Sequence, residues 1–301
     1  MDLKQLEYFV HVAEMSSFTK ASNFLSVAQP ALSRQIRSLE VELRQTLLER
    51  NGRGVTLTPA GQRLLEHSRG ILAQVSRAKL ELEDDRHAVT GRIVIAMPPS
   101  VSRTLTGPLV RAFRERYPKA VMSMVEGLST YALEWLSVGR VDCAVVYNVA
   151  PSGNIDLLPV LDEQLYLVSG RARTKARTLE GPTITLSDVA QHELVIPSRP
   201  HSLRMLLETA MAQQGLKPKV ALEIESIPAI LDLVRDEDFS AVLALNAIRS
   251  TGNTDGFHVR PIGNPKLITT LWIATSAQRP RGPLIEQSTA LLKELLLSRW
   301  A

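Results

Sequence analysis

Residues 26–43 read S-V-A-Q-P-A-L-S-R-Q-I-R-S-L-E-V-E-L, and no other stretch narrows the fold as much. Leu32, Ile36, Leu39 and Leu43 recur at helical spacing and make one apolar stripe. Pro30, Ser33, Arg34 and Arg37 recur at i, i+3, i+4 and i+7 and make the opposite stripe. Pro30 opens the helix, where a missing N–H costs little because first-turn donors have no intrahelical partner. One side of this helix must be buried by neighbouring elements, while the other offers a ring, a hydroxyl and two guanidiniums to something outside.

The neighbours are legible. Leu3, Leu6, Phe9, Val10 and Ala13 give residues 3–15 the inner face of a first helix. Ser16 or Ser17 caps a second, short helix, F-T-K-A-S-N-F-L, and Ser26-Val27-Ala28 separates it from the next. Two short helices joined by a turn of three or four residues form a helix-turn-helix. Then comes L-L-E-R-N-G-R-G-V-T-L-T, residues 47–58, with Asn51-Gly52 between apolar-rich runs. That dipeptide tolerates positive φ at both positions and signals a hairpin, here a wing with Arg50 and Arg53 at or beside its tip. Between residues 18 and 70 there are eight Lys/Arg and four Glu, so this segment carries the whole formal charge of +4. A small basic module on a neutral body points to local contact with a polyanion.

Thr58-Pro59 opens a long helix, a Thr cap followed by Pro in the first turn. The pattern continues to about residue 87, with Leu64, Ile71, Leu72, Val75, Ala78 and Leu82 as an apolar seam. A helix of that length with one seam is expected to pair with a second copy. After Thr90-Gly91 strand-like runs alternate with helical ones: R-I-V-I-A-M, helix 103–117, V-M-S-M-V-E, helix 130–139, D-C-A-V-V-Y. A second series follows, L-V-I-P, helix 202–215, V-A-L-E-I-E, helix 228–235, A-V-L-A-L, and then a strand at 268–275 and a helix at 283–297. Such alternation predicts largely parallel sheets in an α/β body of two lobes, crossed twice, near 162–166 and 264–268. The division expected is 1–58 for the winged module, 59–89 for the linker helix and 90–301 for the two lobes. Lobe 1 takes about 91–162 and 268–301, and lobe 2 about 163–267.

Composition sets outer limits. Hydrophobic residues are 45% and charged residues 22%, the balance of an ordinary globular protein. No run of about 18 apolar residues exists, so no membrane helix is expected. The first ten residues, M-D-L-K-Q-L-E-Y-F-V, lack the basic-then-apolar order of a signal peptide, which points to the cytoplasm. The single cysteine, Cys143, lies in an apolar strand-like run and reads as a buried thiol; with only one, no Cys-based zinc site can form.

A-Q-P-A-L-S-R-Q-I-R-S-L-E (28–40) followed by L-L-E-R-N-G-R-G-V-T-L-T-P-A-G (47–61) resembles the LysR-type transcriptional regulators, and the likeness extends over essentially the whole chain. Within that family, L-V-I-P-S-R-P-H-S-L-R and E-I-E-S-I look most like the nitrogen assimilation control subgroup. The resemblance implies an N-terminal winged helix-turn-helix, a linker helix that pairs two chains, and a two-lobed effector domain similar to periplasmic binding proteins. It also implies homodimers assembling to homotetramers, double-stranded DNA and RNA polymerase as partners, no cofactor and no membrane. The chain departs from the family in E-D-F-S-A-V-L-A-L-N (237–246), which lacks the usual glycine and has Ala244 where proline is common.

A recognition helix lays its N-terminal part in the major groove. Gln29 is then suited to adenine, the Pro30 ring to a thymine methyl, Arg34 to guanine or phosphate, and Ser33 to either; Arg37, a turn further on, suits phosphate. Arg53, and with it Arg50, is placed to reach the minor groove or the backbone. In open α/β sheets ligands bind beyond the carboxyl ends of the strands, where helix N-termini offer free N–H groups. The loops there carry Ser100 and Ser102, Ser129 and Thr130, and Ser198, His201 and Ser202, a set expected to bind a small anion. Serine and threonine at helix starts are equally ordinary caps.

No catalytic or metal signature stands out. The six histidines lack ligand spacing, and neither a nucleophile elbow nor a phosphate-binding loop is present. The alternative to a DNA-binding regulator is a two-lobed solute receptor or enzyme whose N-terminal helices only mediate assembly. A steep salt dependence of binding to random DNA separates the two.

Overall fold

The computed structural model describes residues 1–51, 54–82, 89–171, 179–249, 251–279 and 281–300. The chain begins with α1 (Leu3–Met15), α2 (Phe18–Phe24) and α3 (Gln29–Leu43). Their core is Phe9, Val12, Phe18, Ala21, Leu32, Ile36 and Leu39, joined by Leu65 from the next long helix. The first helix differs in detail from its sequence pattern. Leu3 is 44% exposed and Ala13 only half-buried, while Tyr8 and Val12 are buried. The buried arc is therefore rotated, because α1 is covered on two sides by α3 and the long helix.

The wing is β1 (Leu48–Asn51) against β2 (Gly54–Leu57), with Asn51 opposite Gly54. Asn51 is thus the last residue of a strand and not a turn residue, as the Asn51-Gly52 signal suggests; Gly52 and Arg53 lie outside the described residues. Glu40 Oε1 accepts from the amides of Leu47 at 2.8 Å and Leu48 at 3.2 Å, so α3 fixes the start of the wing. Val55 N–H donates to Ser16 O, and Gly54 at φ +138° lies against the same carbonyl, where a Cβ would sit 2.7 Å from the oxygen. Only glycine fits that backbone.

Thr58 caps α4 (Pro59–Leu82), its Oγ1 accepting from Gly61 N–H at 3.0 Å. The expected continuation to residue 87 lies outside the described residues. The two lobes follow. Lobe 1 contains β3 (Gly91–Met97), α5 (Pro99–Arg116), β4 (Ala120–Glu126), α6 (Ser129–Ser137) and β5 (Cys143–Tyr147). Then β6 (Ile155–Gly170) runs as one 16-residue strand through both lobes. Lobe 2 adds α7 (Leu186–Val189), β7 (Glu193–Ile196), α8 (Ser202–Ala212), β8 (Lys219–Glu223), α9 (Ile227–Asp236), β9 (Ser240–Ala244), α10 (Leu245–Arg249) and β10 (Phe257–Pro261). The chain returns to lobe 1 with β11 (Ile268–Ser276) and α11 (Pro283–Trp300).

The strand order is β4-β3-β5-β11-β6-β9-β7-β8, with β10 also on β6. β6 pairs with β11 from Ile155 to Gln164 and with β9 from Leu165 to Ser169, so the first crossing occurs inside a continuous strand. The second is the short segment between β10 and β11, held by Leu165 N–H to Leu267 O at 2.8 Å and Ile262 N–H to Leu165 O at 3.0 Å. β6 is not legible as a strand in the sequence because Pro159 interrupts its pattern and its first half is only partly buried. In the ladder Pro159 stands opposite Trp272 and Leu161 opposite Leu271, which bulges out Val160; a residue without an N–H is tolerated at such a shift. Each lobe is a sheet covered on both faces. In lobe 1, α5 and α11 cover one face through Leu105, Leu109, Phe113, Leu292 and Leu296, and α6 the other through Ala132 and Leu136. In lobe 2, α7 and α8 cover one face and α9 and α10 the other. No helix of the described residues is long and apolar enough to cross a membrane.

Candidate functional site

The outward stripe of α3 forms as its spacing requires. Leu32, Ile36 and Leu39 are buried, while Gln29, Pro30, Arg34 and Arg37 are exposed and Ser33 is half-buried. Pro30 lies in the first turn, and the Ala28 cap provides no side-chain hydrogen bond there. Ser33 and Arg37 line a shallow recess with Phe18, Glu40 and Leu48, which joins α3 to α2 and the wing in one surface. Arg34 and Arg37 have no ion-pair partner among the described residues. Arg50 is in β1 opposite Val55.

A second site lies between the lobes, a cavity of about 620 Å³. Lobe 1 contributes Pro98, Pro99, Ser100 and Arg103 from the start of α5, Leu128 and Ser129 from the start of α6, and Glu126, Tyr147, Glu163 and Thr269 from the strands. Lobe 2 contributes His201, Ser202 and Leu203 at α8, Glu225 to Pro228 and Leu231 at α9, and Leu243, Ala244, Asn246 and Ala247 at the end of β9 and in α10. Five helices begin at this cavity, α5, α6, α8, α9 and α10. α8 and α9 are capped, by His201 Nδ1 on Leu203 N–H at 3.2 Å and by Ser226 Oγ on Ala229 N–H at 3.4 Å. α5 and α6 have Pro98 and Leu128 at the cap and no side-chain hydrogen bond.

Of the seven residues expected here, Ser100, Ser129, His201 and Ser202 line the cavity, and Ser102, Thr130 and Ser198 do not. Ser102 is buried against its own helix, its Oγ 3.1 Å from Thr106 Oγ1. Thr130 is exposed, and Ser198 shapes the loop by accepting His201 N–H at its carbonyl. Ser129 Oγ accepts from Tyr147 N–H at 2.9 Å and so joins α6 to the end of β5. Burial pushes His201 down to about 4, so the ring is neutral near pH 7. Burial, reinforced by the Glu163 carboxylate, raises Tyr147 well above the ordinary phenol; its hydroxyl donates to Glu163 Oε2 at 3.2 Å.

The lining carries charges of both signs. Among the described residues, Glu126, Glu163 and Glu225 line the cavity with one cation, Arg103. Arg204 does not line the cavity; it is buried, with Nε paired to Glu208 and Nη1 to Glu223 and the Pro197 carbonyl. The sequence conceals this charged lining in part because Glu163 sits on the irregular β6. Glu126 and Tyr147, the last residues of β4 and β5, are open to detection by the strand-end rule that finds the serines, and Arg103 follows Ser100 by one helical turn. Cys143 is fully buried and its thiol pushed up to about 12, so it is no nucleophile. No group of three His, Cys, Asp or Glu able to hold a metal occurs among the described residues.

α6 joins the cavity to α4 and, through it, to the winged module. Its start, Leu128 and Ser129, lines the cavity, and the segment just after it, Val138 to Arg140, meets α4. Gly70 packs so closely on Val138 O that a Cβ would lie 1.8 Å from it. Arg140 pairs with Glu66, Glu66 with Arg69, and Arg69 with Glu14 at the end of α1. The Arg140 guanidinium also stacks 4.4 Å from the Trp135 ring, which rests against the backbone of Gly127 beside the cavity.

Residues 3–62 match the bacterial regulatory helix-turn-helix protein family of lysR type, and residues 86–297 match the LysR substrate binding domain. The nitrogen assimilation regulatory protein nac of Klebsiella aerogenes is 34% identical over 300 residues, covering 99% of this chain and 95% of that protein. The nac protein of Escherichia coli shows the same identity and coverage. Among solved structures, full-length CbnR in complex with its target DNA superposes with a TM-score of 0.71 at 23% identity, over 98% of this chain and 100% of CbnR. A full-length OxyR variant from Pseudomonas aeruginosa gives 0.71 at 20% identity, over 98% of this chain and 94% of that one. With both domains matched in order and the likeness to the nac proteins running nearly end to end, this chain belongs to the LysR family of DNA-binding transcriptional regulators.

Proposed function

We propose that α3 reads the major groove with Gln29, Pro30, Ser33 and Arg34, that Arg37 and the wing residues Arg50 and Arg53 hold the backbone or minor groove, and that a small effector enters the inter-lobe cavity. The protein works on DNA in the cytoplasm and acts on RNA polymerase at the promoters it occupies. Ile71, Val75 and Ala78 leave part of the α4 seam partly or fully exposed, which supports pairing of two chains along α4 and, from pairs, a homotetramer. The segments proposed for these tasks are 1–58, 59–89 and 90–301.

The observation that carries the regulatory reading is the position of α6, which begins at the cavity and ends on the linker helix. A ligand that prefers one lobe closure biases the seat of α4 and so the spacing of DNA modules in the assembly, by shifting populations and without a new DNA contact. The Ala247→Trp substitution takes up part of the cavity and leaves the DNA module untouched. Its footprint should differ in length from wild type while affinity for a single half-site stays the same. An identical footprint would remove the coupling. Random-DNA binding with little salt dependence would remove the DNA-reading role of α3.

A further inference from the structure

We propose that the inter-lobe cavity takes a small zwitterion, an amine and a carboxylate on one apolar body, as in an apolar amino acid. This rests on the effector-site reading above and names the ligand class. The cavity, at about 620 Å³, is far larger than an inorganic oxyanion requires, and most of its lining is apolar. A ligand that fills it therefore brings apolar volume.

Its polar groups fall into two sets of opposite sign. The first favours a carboxylate. α5 and α6 both begin at the cavity with no side chain capping them; in α5 Pro99 has no N–H and Val101 N–H donates to Pro98 O, which leaves Ser100 N–H, and this group and the first-turn N–H groups of α6 are open to an acceptor. Arg103, one turn beyond Ser100, is exposed and without an ion-pair partner among the described residues. The second favours an ammonium. Glu126 stands at the end of β4, Glu163 on β6 and Glu225 just before α9, so carboxylates reach the cavity from both lobes. The Tyr147 hydroxyl donates to Glu163, which keeps that carboxylate an acceptor. His201 is neutral and adds no opposing charge.

A lone anion would be drawn by the helix starts and Arg103 but repelled by three carboxylates. A lone cation would meet the reverse. A molecule carrying both charges satisfies both sets, and the apolar walls strengthen each interaction by excluding water.

The test uses the full chain. Titration calorimetry is run with the twenty proteinogenic amino acids, then with the amine and the carboxylic acid that correspond to the tightest binder. An apolar amino acid should bind, with each single-charge analogue weaker by at least about tenfold, the worth of one charge-assisted contact. Arg103→Ala should bring the amino acid down to the affinity of the amine. At least one of E126Q, E163Q and E225Q should bring it down to that of the acid. If no amino acid binds, or if either analogue binds as well as its parent, the zwitterion is overturned. An analogue that binds wild type as tightly as its parent, and not A247W, overturns the zwitterion while leaving the effector cavity in place. An amino acid bound equally by A247W and by Arg103→Ala sits elsewhere and overturns both.

Discussion

Arg34 and Arg37 lie three residues apart on the same exposed face of α3, yet they are assigned different work. Arg34 is nearer the helix start, the part proposed to enter the groove. Arg34→Ala should therefore cost roughly 1–3 kcal/mol of discrimination between cognate and random DNA. Arg37→Ala should weaken both about equally and lower the salt slope by about 1, as loss of one phosphate contact does. Gel-shift titrations at several salt concentrations check this, and an unchanged specific-to-random ratio for Arg34→Ala would reassign it. His201 offers a pH test. Its folded pKa is about 4 against an ordinary value of 6.5, so the unfolded chain binds the proton more readily. The contribution of the neutral ring is complete above about 6.5 and is lost as pH falls from there through 4, up to about 2 kcal/mol at pH 5. Melting curves from pH 7 to pH 5 should fall less steeply for His201→Gln than for wild type.

At the scale of elements, α4 divides its surface between two neighbours and an exposed face. Leu64, Leu65 and Leu72 pack toward the winged module, Glu66 and Gly70 face lobe 1, and Ile71, Val75 and Ala78 are left at least partly exposed. The single seam read from the sequence is thus two faces, one of them spent inside the chain. Ile71→Asp should split dimers in sedimentation, because pairing would bury an unpaired carboxylate. A fully dimeric Ile71→Asp protein would place the interface elsewhere. Gly70→Ala addresses the other face. With its Cβ 1.8 Å from Val138 O, α4 or α6 must move. Hydrogen exchange should rise in residues 66–74 and 136–140, since the salt bridges there are partly exposed and add little by themselves. Unchanged exchange would mean that the contact is absorbed locally.

In the whole molecule, the apolar clusters of the two lobes are separate from that of the winged module. Residues 90–301 should therefore fold when expressed alone, melting cooperatively; loss of cooperativity would show that α4 belongs to the lobe 1 core. If α4 pairs two chains, the bound DNA should be an interrupted inverted repeat with half-sites about one helical turn apart or a multiple of it, which footprinting reads directly.

Local periodicity is enough for α3, for the Thr58-Pro59 start of α4 and for most strands and helices of the lobes, since each depends on neighbours within a few residues. It also locates the loops that bear Ser100, Ser129, His201 and Ser202 at one edge of the sheets. It does not reveal β6, whose proline and half-exposed face carry no period, and with β6 it leaves out Glu163 and the in-strand crossing between lobes. Nor does it give the charge balance of the cavity, because that is summed over side chains from distant segments, here Arg103, Glu126, Glu163 and Glu225. The same holds for Gly70 on Val138 and Glu66 on Arg140. The partners in each pair are far apart in the chain, and only the packing of the linker helix on lobe 1 brings them together.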